Sequence, residues 1–226
     1  MAGAVVSKPT AKKTISFLNQ YVGLKHVSYI PYGMQLNLLV EYFRLSNIDK
    51  NLPLLEQWFW RTSVTKYFGG ASTGQLAKDL KEIRDFACGD KDNFEYGEYI
   101  FNTQELFYDE FNLRTASSRT FALILKKEFE NKTKRIIDSI NVELFRDYYF
   151  DIASVTGKYY GMNINKIFIP TYLDDKQFNL IEQLLASSNF VDDSVNIMIP
   201  QAESDIILEK RISIMNSYIQ NLAGIR

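Results

Sequence analysis

One imidazole and one thiol, His26 and Cys88, are all that 226 residues provide of the two commonest soft metal ligands. No zinc finger, zincin or Cys-ligated cluster can be assembled from them. A single cysteine also excludes an internal disulfide framework and fits a reducing cytosol. His26 lies between Lys25 and Val27, ahead of a proline turn, a thin basis for a Ser-His-Asp or Cys-His site. Cys88 precedes Gly89 at an expected helix end, with no basic neighbour in sequence, and reads as structural. The acidic pairs Asp174-Asp175 and Asp192-Asp193 have the hard oxygens that magnesium takes. Adjacent residues point apart, however, and Asp174 with Gln177 has helix-capping spacing. The expectation is therefore no catalytic residue, no metal and no cofactor.

Cations give the alternative, which is phosphate binding. Arg61 and Lys66 precede the loop Gly69–Gly74 (GGASTG), and a helix N-terminus after such a loop offers N–H groups to an anion. Gln75 follows Gly74 where a Walker A loop needs lysine, so the plainer reading is a capped turn. Arg114 and Arg119 flank Ser117 and Ser118, and Lys126, Lys127, Lys132, Lys134 and Arg135 form the densest basic run. Together they suit a DNA backbone anchor without base readout. The competing reading is a solvated helix end, since Glu128 and Glu130 interrupt the run. Trp58, Phe59 and Trp60 offer rings for base stacking, but their spacing sends at least two inward and leaves Trp60 as the surface candidate.

The elements that must hold these residues are mostly helical. Apolar residues make up 46% and charged residues 23%, an ordinary globular mixture. Lys plus Arg is 26 against 27 Asp plus Glu, so at net charge −1 any nucleic-acid contact must be local. Eleven glycines and five prolines are few breakers for this length. No apolar run approaches the ~18 residues of a membrane span, and the start lacks the order of a signal peptide. A cytoplasmic protein without membrane contact is expected.

Residues 1–9 read as a flexible leader, 10–135 as a helical domain and 136–226 as a small α+β domain. Ile15, Leu18 and Val22 share a helical face, and MQLNLLVEYFRL is apolar nearly all round. Pro53 opens the next helix, and Ser72 with Gln75 has capping-box spacing before Leu76, Leu80, Ile83 and Ala87. Phe121, Leu125 and Phe129 align in a further helix. Short β-type runs are expected at 164–169 and 195–199, and a last helix aligns Leu208, Ile212, Met215, Ile219 and Leu222.

Three strings carry a family resemblance: YIPYGMQLNLL (29–39), WFWRTSVTKYFGGASTGQLAKDLKEI (58–83) and FNLRTASSRTFALIL (111–125). They resemble the helical middle region of GmrSD-like restriction proteins, which guard bacteria against phage DNA. In that family a ParB-like nucleotide-hydrolysing half precedes the helical region and an HNH nuclease domain follows it. The chain shows no counterpart of the ParB-like half, so nucleotide hydrolysis is not carried over. The family's His-His-Ile-Phe-Pro-like run, ending in Tyr-Leu, resembles Asn165-Lys166-Ile167-Phe168-Ile169-Pro170-Thr171-Tyr172-Leu173. Its metal-ligand and general-base histidines thus correspond to Asn165 and Lys166, and Asn196 resembles the central asparagine. An HNH site needs a neutral imidazole to accept a proton from water and a ligand for a divalent ion. A lysine ammonium has no lone pair and repels that ion.

The resemblance implies a mainly α protein whose C-terminal domain is a degenerate HNH-like α+β fold. It further implies a non-catalytic component that binds or senses DNA in a restriction or phage-defence system. The alternative is an interaction subunit that docks on a separately encoded ParB-like partner.

Overall fold

A computed structural model describes residues 7–46, 51–95, 103–133, 148–152, 158–170, 175–191 and 204–225. The fold is mainly helical, with one small two-stranded sheet among the described residues. None of the described helices is long and apolar enough to cross a membrane. The chain divides into two compact units, Met1–Phe101 with Leu222–Ile225, and Asn102–Asn221 with Arg226.

In the first unit, α1 (Lys8–Phe17) starts earlier than the expected leader allows. Ser7 caps it, its side chain accepting from the Thr10 amide, and Pro9 sits in the first turn where its missing N–H does no harm. The wider turn Leu18–Val22 follows, closed by Gly23 at φ 79°. That turn changes the angular step between side chains, so the expected Ile15–Leu18–Val22 face does not persist. Phe17, Leu18 and Val22 are buried, whereas Ile15 is 50% exposed.

Helix α2 (Gly33–Leu45) buries Leu38, Leu39, Tyr42 and Phe43. It also buries Gln35, whose amide nitrogen has Phe59 O (3.1 Å), Thr62 Oγ1 (3.0 Å) and Ser63 Oγ (2.8 Å) of α3 (Leu52–Val64) within reach of its two hydrogens. Gln35 Oε1 accepts from the Tyr32 amide, so both ends of the carboxamide are engaged. All three aromatics of the Trp58-Phe59-Trp60 string are core residues, and Trp60, the expected surface ring, is 0% exposed.

Helix α4 (Thr73–Cys88) packs on α2, with Tyr42 and Phe86 rings 5.8 Å apart. Phe86, not the expected Ala87, is the buried residue near its end, and Gly89 stops it at φ 85°. Cys88 is an exposed free thiol there.

The second unit contains α5 (Thr103–Tyr108), α6 (Ala116–Thr133), β1 (Tyr149–Asp151), β2 (Lys166–Phe168), α7 (Asp175–Ser188) and the larger part of α8 (Ser204–Ala223). Phe121, Leu125 and Phe129 of α6 are buried as their spacing predicts. β2 falls inside the expected run 164–169, but its antiparallel partner is β1, pairing Tyr149 with Phe168 and Asp151 with Lys166. The expected strand 195–199 lies outside the described residues.

The unit boundary falls after Phe101, not at the expected 135/136. Side-chain chemistry accounts for that difference. Asn163, fully buried beside β2, donates to Leu106 O (2.9 Å) and Ser117 Oγ (3.2 Å), and its Oδ1 accepts from Ser118 Oγ (2.9 Å). Phe129 meets Phe168 ring to ring at 5.2 Å. These contacts bind α5 and α6 to the sheet, which makes 103–133 part of the second unit.

Candidate functional site

Asn165 and Lys166, the residues expected at HNH-like positions, converge on one carboxylate. Antiparallel pairing sets Asp151 of β1 opposite Lys166 of β2, so their side chains share a face. Asn165 Nδ2 donates to Asp151 Oδ1 at 3.0 Å, and Lys166 Nζ lies 2.7 Å from Asp151 Oδ2. Asn165 is fully buried and Lys166 is half-buried, its ammonium also 5.7 Å from the Phe111 ring. The carboxylate oxygens that could face a divalent ion thus already carry an amide hydrogen and an ammonium. Groups of three or more His, Cys, Asp or Glu suited to a metal ion do not occur among the described residues.

The backbone around this cluster is fixed by Arg211 of α8, which is fully buried. Its Nε donates to Asn189 O (2.8 Å), Nη2 to Lys166 O (2.7 Å) and Nη1 to Ile164 O. Its guanidinium lies 5.7 Å from the Phe121 ring. Burial pushes the guanidinium down to about 9, so at neutral pH it remains a cation held by carbonyl dipoles and a ring face. Asn189 extends the clamp: its Oδ1 accepts from the Phe168 amide (2.6 Å) and its Nδ2 donates to Phe168 O (3.0 Å), as a neighbouring strand would. Sequence patterning missed Asp151, Asn163, Asn189 and Arg211. Polar residues at core positions break the hydrophobic periods on which such reading depends.

The cations expected to hold phosphate fare unevenly. Lys126 is 1% exposed, its Nζ 2.6 Å from Glu130, and it is removed from any DNA-facing set by burial. Lys132 pairs with Glu128 at 3.5 Å and donates to Ser187 O at 3.0 Å. Arg119 donates to Leu113 O at 2.7 Å, closing the loop before α6. Arg114 is exposed, and Lys127 is half-buried on α6. Lys134 and Arg135 lie outside the described residues, as does Asn196.

Arg61 and Lys66 belong to the first unit, and the loop beside them is folded on itself. Arg61 Nη1 is 3.4 Å from Gly224 O. Lys66 adopts φ 53°, and its carbonyl accepts from the Gly69 amide at 2.7 Å, while the Gly70 amide donates to Phe68 O. The Gln75 amide donates to Ser72 Oγ, but the other half of the expected capping box is missing. The Gln75 side chain turns instead to Asp79 Oδ1 (3.0 Å) and the Tyr67 hydroxyl. Asp79 is buried, and its Oδ1 also accepts from Tyr67. With the Gly69 and Gly70 amides engaged within the loop, Ser72 capping the helix and a buried carboxylate one turn on, GGASTG has the character of a capped turn.

Comparison with family models, curated proteins and solved structures finds no match to this chain.

Proposed function

We propose that this chain is a non-catalytic DNA-binding or DNA-sensing component of a bacterial restriction or phage-defence system, with residues 136–226 a degenerate HNH-like domain. The observation that supports this reading is the Asp151–Asn165–Lys166 cluster. Where the resemblance leads to two histidines, an amide and an ammonium meet a carboxylate. That set neither accepts a proton from water nor leaves an oxygen cage for a divalent ion. For phosphate contact, Arg114 and Lys127 are the pair taken from the described cations of the second unit, and binding through them would be weak and salt-sensitive.

A docking role on a ParB-like partner has its own support. Ile206 and Ile214, two turns apart on α8, are 65% and 41% exposed, and exposed aliphatic pairs of this kind suit a protein contact.

The test is titration of fluorescent single- and double-stranded DNA with the full chain across a salt series without metal. The reading expects log affinity to fall linearly with log salt, and Arg114→Gln with Lys127→Gln to flatten that slope. Flat, absent binding at low salt would overturn the DNA role and leave the docking reading. Magnesium-dependent nicking that disappears in the Asn165→Ala/Lys166→Ala double variant would overturn the non-catalytic half.

A further inference from the structure

We draw no further inference here: the strongest candidate, the cavity of about 390 Å³ in the first unit between α1, the turn that follows it and α2, is lined by Phe17 and Phe43 rings that are themselves buried, and nothing in the structure shows what covers it.

Discussion

Replacing Arg211 by lysine removes the fork that distributes the buried charge. The guanidinium reaches the carbonyls of Asn189, Ile164 and Lys166 at once. A lysine ammonium, a compact donor on a narrower stem, can reach one of these groups from the same backbone position. Two carbonyls then lose a charged donor inside the core. At ~1.5–3 kcal/mol for each bond to a charged group, the expected loss is about 3–6 kcal/mol, a large share of a domain's usual stability. Arg211 is cationic at pH 7, since its value of about 9 lies above it, whereas a lysine starts from a lower ordinary value and the same burial drives it toward the neutral form, which adds to the loss. Tryptophan fluorescence is the wrong assay, since Trp58 and Trp60 both lie in the first unit. Native-state hydrogen exchange reads the site directly, at the amides of Ile152 and Ile169, which donate to Asn165 O and Tyr148 O beside the sheet. At ~1.4 kcal/mol per factor of ten, their protection should fall by roughly two to four powers of ten. A loss smaller than tenfold would show that Arg211 is not what fixes the backbone around Asn165 and Lys166.

Asn189→Ala should destabilise the second unit by about 2–4 kcal/mol in urea unfolding followed by circular dichroism, because the buried Phe168 amide and carbonyl lose their partner. Lys126 and Glu130 should respond asymmetrically. Glu130→Ala removes the carboxylate 2.6 Å from a buried ammonium and should cost about 2–4 kcal/mol, whereas Lys126→Met should change stability by less than ~1.5 kcal/mol and leave DNA affinity untouched. Glu41 is held at about 2 by hydrogen bonds and charge from Arg44 and Arg84, with burial opposing. Its folded value lies below the ordinary 4.5, so its contribution is complete above pH 4.5 and is lost as pH falls toward about 2. Glu41→Gln should therefore lower the thermal midpoint at pH 7 and make no difference at pH 2. An equal effect at both pH values would refute the ion-pair account.

The Asp151–Asn165–Lys166 cluster and the Arg211 clamp divide the labour in the second unit. Arg211 fixes the carbonyls of Ile164 and Lys166 on either side of Asn165, and Asp151 then receives the two side chains. In the first unit the buried Gln35 does comparable work between α2 and α3. Both units therefore rest on polar groups satisfied by backbone carbonyls, which rigidify a core only when every partner is present.

By itself the sequence determined the helical character, through few breakers and clear periods at Phe121, Leu125 and Phe129 and at Leu208, Met215 and Ile219, although Ile212 and Leu222 of that last face are only half-buried and Arg211 and Ala223 are buried beside them. It also determined the helix limits at Pro53, Ser72 and Gly89, because caps and breakers act on their own few residues. The absence of paired imidazoles at 165 and 166 was equally legible, since chemistry of that kind depends on residue type alone. Tertiary structure decided the rest. β1 was hidden because three residues carry too little pattern to separate strand from loop until β2 pairs with them. The unit boundary was hidden because Asn163 and Phe168 hold α5 and α6 across dozens of residues. The basic run looked like a surface because charge implies solvent. Lys126 is nevertheless buried: Glu130, one turn along, supplies the opposite charge that makes a lysine tolerable in a core.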